Sequence, residues 1–140
     1  MYLAGYKRVK DVTKIVRWFK SLPLTKQVQV MTSDGKPQTY IIAHGWWKRD
    51  LERRYILWYR DVEDLNNSFL PDYEPEDGEI LIHGHTPVFK RYGYPEDGVV
   101  HFREHSINVD AGSYNPEWGG RLAALRLEDL KAIYVNTLNE

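Results

Sequence analysis

Between Asp11 and Leu22 the apolar residues Val12, Ile15, Val16, Trp18 and Phe19 recur at helical spacing, with Lys14, Arg17 and Lys20 between them, and Pro23 follows. This spacing predicts one amphipathic helix that stops near the proline, which has no N–H to continue it. The rhythm then changes to strand. VQVMTS and PQTYIIAHG flank a turn carrying Asp34 and Gly35, which predicts a hairpin whose second strand ends at His44. RDLERRYILWY (49–59) reads as a short helix starting near Asp50, and the acidic, turn-rich stretch from Asp61 to Gly78 reads as an exposed loop.

A continuous apolar run, Ile80 to Ile82, opens EILIHGHTPVF and breaks at Gly84 and Pro87, as a buried strand feeding a loop does. RYGYPEDG is a turn, and VVHFREHSINVD supplies one or two further strands. RLAALRLEDLKAIYV alternates as a terminal hairpin turning near Glu128 and Asp129. Large aromatics at helical spacing are ordinarily core, so Trp18, Phe19 and Trp58 are expected inside, and Trp118 beside two glycines is expected to pack in a loop. No repeat, low-complexity tract or domain boundary is visible. The pattern is that of a single mixed α/β unit rich in strand.

Composition narrows the chemistry. The 140 residues carry 19 Lys and Arg against 20 Asp and Glu, a net charge of -1, so no overall field recruits nucleic acid or an anionic membrane. No stretch approaches the roughly 20 apolar residues of a membrane span, and a cytoplasmic location is the expectation. There is no cysteine, which excludes a disulfide framework, a thiolate nucleophile and a cysteine zinc site. Any metal must be held by His, Asp, Glu or Asn.

Three histidines, His44, His83 and His85, fall at or just after the ends of predicted apolar strands, where layered α/β folds place ligand sites. Imidazole is the commonest protein ligand for transition metals. On the residues alone, a strand-end histidine is more often a hydrogen-bonded structural residue than a ligand, and both readings stand.

IIAHGW resembles the strand followed by HAG or HGG in calcineurin-like metallophosphoesterases, and ILIHGHTPV resembles the HGHTP element of their bacterial serine/threonine phosphoprotein phosphatases. INVDAGSYNPEWGGRLAALRLED is similar to the closing segment of that family. HxG alone carries little information, HGHTP after an apolar strand carries more, and the tail in the right order carries most. The likeness runs from about Val16 to Val135. It implies an α+β fold, specifically the C-terminal half of the layered β-sandwich with flanking helices typical of metallophosphoesterases. It also implies hydrolysis of a phosphoprotein or another phosphoester at a two-metal site of divalent Mn, Fe or Zn.

Under the resemblance, His44 and His85 are ligands of the same metal. His83 either lines the site or packs. Arg60, after ILWY, matches an arginine that grips substrate phosphate with its two-pronged guanidinium, with a solvated charge at a helix end as the alternative role. Tyr114 falls in a loop on the substrate side, with packing as the alternative role, and Trp46 stands where the family usually has a smaller residue. The family's DxH, GDxxDRG and GNHD/E elements are not in this sequence. Those elements supply the first metal's ligands, the bridging aspartate, an asparagine and the histidine general acid. The expectation is therefore an incomplete site that hydrolyses little unless a separate N-terminal half, or self-association, completes it. Two alternatives remain open: a non-catalytic remnant that binds protein through exposed strand edges, and a fragment of a dinucleoside polyphosphate hydrolase.

Overall fold

A computed structural model describes residues 9–45 and 78–136. Arg60, Trp46, Trp58, the short helix expected over 49–59 and the acidic loop expected after Asp61 lie outside the described residues. Helix α1 (Val9–Ser21) ends as its sequence requires: the Leu22 amide reaches the Phe19 carbonyl at 3.2 Å, the Ser21 hydroxyl donates to the Trp18 carbonyl at 2.7 Å, and Pro23 follows.

Strands β1 (Thr25–Met31) and β2 (Pro37–Ala43) form the expected antiparallel hairpin, with Gly35 left-handed at its turn (φ 79°). Strand β3 (Ile80–His83) lies parallel to β2, and β5 (Ser106–Asn108) lies parallel to β3. The short β4 (His101–Phe102) returns antiparallel on the outer side of β5, closing a five-stranded sheet of order β1-β2-β3-β5-β4. Strands β6 (Arg121–Arg126) and β7 (Lys131–Asn136) form a separate two-stranded hairpin. The described residues are thus of mixed α+β character.

Alternation along the strands explains how the two sheets meet. Tyr40, Ile82 and Ile107 point to one face and join Val100 in a buried cluster, against which Ala123, Leu125, Ala132 and Tyr134 of the hairpin pack. Each fully buried aliphatic side chain there contributes about 2 kcal/mol. Polar ties fix the register between layers: Tyr40 Oη donates to the Leu127 carbonyl at 3.1 Å, and the Val100 amide donates to Tyr134 Oη at 3.0 Å. The other face of the same strands carries Ile41, Ala43, Leu81, His83, Ser106 and Asn108, all buried.

One expectation is corrected. Trp18 and Phe19 are 57% and 61% exposed, so neither is core. Helical spacing shows that α1 has an apolar stripe, but not that another element covers it, and among the described residues no element buries these two rings. Trp118 does pack in its loop, edge-on to Phe89 at 5.7 Å between centroids and beneath the Arg91 guanidinium at 4.0 Å. Among the described residues no helix is long and apolar enough to cross a membrane.

Candidate metal centre

Because β2, β3 and β5 are mutually parallel, their carboxyl ends emerge at one edge of the sheet, where open α/β sheets bind ligands. The register of β2 on β3 pairs Ile42 with Ile82, and two residues further it sets His44 beside Gly84. The Gly84 amide donates to the His44 carbonyl at 2.9 Å, prolonging the ladder past the last strand residues. Gly84 is a close-packed point: a Cβ there would stand 3.4 Å from the Asp110 Cβ and 3.6 Å from the His44 carbonyl.

The chain turns immediately after Gly84 by placing His85 in the left-handed region, φ 73°. A non-glycine residue pays about 1–2 kcal/mol for that conformation, so surrounding contacts must hold it there. Its consequence is visible in the side chains. His85 Nδ1 comes to 3.1 Å from His44 Nε2, with the rings nearly edge to face and their centroids 4.9 Å apart. With a proton on one of these nitrogens, the pair is a hydrogen bond.

That separation can be tested against a metal. Two imidazole nitrogens 3.1 Å apart, each about 2.05 Å from one ion, subtend about 98° at the ion, between the octahedral and tetrahedral angles. The pair therefore fits two positions of one metal's coordination shell. Among the described residues no group of three His, Cys, Asp or Glu side chains is placed to hold a metal, so the histidine pair has no third such ligand beside it there.

The remaining sequence candidates are placed as follows. His83, the last residue of β3, is 4% exposed, and its Nδ1 lies 3.4 Å from the neighbouring Gly84 carbonyl. Tyr114, on the loop after β5, is 64% exposed. The structure brings His44 and His85 together, and Arg60 lies outside the described residues.

Sequence reasoning missed the polar network that backs this edge. Asn108, at the end of β5, donates to the Thr86 carbonyl at 2.8 Å and to Tyr94 Oη at 2.9 Å, and its side-chain oxygen accepts the Asp110 amide at 2.9 Å. The Asp110 carboxylate in turn accepts the Gly112 amide at 3.0 Å. Burial pushes the Tyr94 phenol above its ordinary pKa, against a smaller opposing effect of the Asn108 hydrogen bond, and burial lowers that of His101, whose ring lies 5.1 Å from the Tyr94 ring. The signal was present in N-x-D-x-G, where asparagine and aspartate each bond a backbone amide two residues on.

On the outer side, a groove of about 470 Å³ runs between the end of α1 and the start of β1 and reaches His44. Its walls among the described residues are Val16, Phe19, Lys20, Leu22, Pro23 and Leu24. His44, though not His85, thus borders a largely apolar surface. No family model matches the sequence, and no curated protein matches it.

Proposed function

We propose that the chain is a metal-dependent phosphoester hydrolase of the serine/threonine protein phosphatase kind, in which His44 and His85 hold one divalent ion. The observation that carries this reading is the 3.1 Å approach of His44 Nε2 to His85 Nδ1 at the carboxyl ends of two parallel strands. It gains weight from the likeness of the HGHTP and GGRLAALRLED segments to calcineurin-like phosphoesterases, whose layered sandwich would add elements beyond the two sheets described. The bound ion would polarise a phosphoryl oxygen and neutralise its developing charge. His44 and His85 would orient that ion from the sheet edge, Arg60 would grip a phosphate oxygen pair, and Tyr114 would face the substrate from the loop after β5. The apolar groove beside His44 would accept the organic part of the phosphoester.

Two histidines are fewer than the three or so protein ligands of a catalytic site. Full activity would therefore need ligands beyond these two, and the chain alone would hydrolyse para-nitrophenyl phosphate with Mn²⁺ at close to the background rate. A non-catalytic protein-binding role is the second reading, favoured by the open apolar side of α1 at Val16, Trp18 and Phe19.

Metal binding decides between them. Zn²⁺ or Co²⁺ is titrated against a chromophoric chelator with the wild type, His44→Ala and His85→Ala. The expected result is one ion bound by the wild type and a loss of at least about tenfold in affinity for each variant. Equal binding by all three proteins would remove the phosphatase reading and leave the binding module.

A further inference from the structure

Asn108 is 2% exposed and sits opposite His83 in the parallel register of β3 and β5, one strand away from the histidine pair. Both of its side-chain donors and its side-chain oxygen bond to the segments that back the candidate metal edge. One amide hydrogen goes to the Thr86 carbonyl, the residue after left-handed His85, and the other goes to Tyr94 Oη. The side-chain oxygen takes the Asp110 amide. The orientation of the carboxamide is dictated by its partners, since a carbonyl can only accept and an amide N–H can only donate. Two donors and an acceptor in one short planar group are available from asparagine; aspartate, serine and alanine each lack at least one of them. Thr86 is tied a second time, its amide donating to the Gly84 carbonyl at 3.0 Å, so the turn that carries His85 is clamped from both sides.

We propose that Asn108 is a positioning residue of the metal centre: by holding the Thr86 carbonyl and the Asp110 amide together it keeps His85 left-handed, with Nδ1 held 3.1 Å from His44 Nε2. This rests on the metal reading above. The physical argument is that a conformation costing about 1–2 kcal/mol in isolation persists only where its neighbours over-determine it. Groups that orient a metal ligand from behind set its affinity nearly as firmly as the ligands themselves.

The test compares Asn108→Ala with Ile107→Val, which lies on the other face of the same strand and touches none of these bonds. Co²⁺ affinity is measured by chelator competition, together with the visible absorption of the Co²⁺ complex, at a temperature where near-UV circular dichroism shows every variant fully folded. The expected result is a loss of about tenfold in affinity and an altered Co²⁺ spectrum for Asn108→Ala, with Ile107→Val within about twofold of the wild type even where its melting temperature falls. If the alanine variant does not fold, Asn108→Ser, which can keep one donor, takes its place, with at least about a threefold loss expected. Wild-type affinity and an unchanged spectrum in the folded Asn108 variant would overturn the proposal while leaving the metal reading intact. Indifference of the metal to His44→Ala and His85→Ala would overturn both.

Discussion

Replacing Tyr40 by phenylalanine probes the contact between the two sheets with the removal of a single atom. The Tyr40 ring is 1% exposed within the cluster shared with Ile82, Val100 and Ile107, so phenylalanine keeps its packing. What disappears is the 3.1 Å bond from Oη to the Leu127 carbonyl, which joins residues 87 positions apart. A hydrogen bond of this kind contributes about 1 kcal/mol net, and because Leu127 is only half-buried, water can reach its carbonyl and hold the loss to that order. For a chain of this length, that is about 4 °C in melting temperature. Urea unfolding followed by tryptophan fluorescence measures it, with the midpoint expected to fall and the slope to stay constant.

Alkaline pH supplies a second readout. Burial, and secondarily the Glu128 carboxylate, raise the Tyr40 phenol above its ordinary value of 10.0. The folded state therefore holds its proton more tightly than the unfolded chain, and the stability this confers is present in full below pH 10 and drains away as pH rises through the folded value. The wild type should thus lose stability above pH 10 more steeply than Tyr40→Phe, narrowing the gap between them. Equal stability at neutral pH and parallel alkaline limbs would refute the packing of the hairpin on the sheet through this bond.

Two further outcomes follow from single groups. Gly112→Ala must adopt φ 70° and place its Cβ into the Phe89 ring, so a loss of about 2–4 kcal/mol in urea unfolding is expected, whereas a loss below about 1 kcal/mol would show that the loop can shift. His101 has its pKa lowered from 6.5 by burial and, to a smaller extent, by Arg103. The folded state resists its protonation, and stability should fall as pH drops below 6.5 toward the folded value. His101→Gln should flatten that acid limb, and an NMR titration placing His101 at or above 6.5 would contradict the cause given.

Where a local rule decides the structure, the sequence was sufficient. The 12/15/16/19 spacing led to α1, Asp34-Gly35 led to the first hairpin, and the alternation of RLAALRLEDLKAIYV led to the second. The unbroken run Ile80–Ile82 was legible as a strand buried on both faces for the same reason. Strand order was not legible, because the neighbours of β3 are strands far along the chain and no local signal names them. The exposure of Trp18 and Phe19 was missed because periodicity defines a face without saying what covers it. His44 and His85 could be named individually, but their 3.1 Å approach depends on the parallel register and on the left-handed turn at His85. Asn108 was passed over because a polar residue near a strand end looks ordinary until both of its donors are seen to be used.

The parallel pairing of β2 with β3 also has a kinetic meaning. Tyr40 meets Ile80 and Ile42 meets Ile82 across 40 residues of sequence, and β3 then waits for β5, another 25 residues on. Closing such loops takes up chain entropy before any contact repays it, so this pairing belongs to the slow part of folding, after α1 and the two hairpins can have formed. His44 and His85 face each other only once that step is complete. Under the proposed metal reading, recovery of Co²⁺ binding after dilution from urea should then lag behind the recovery of helix and hairpin signals, and the ion would serve as a clock for the last long-range event in the assembly of the sheet.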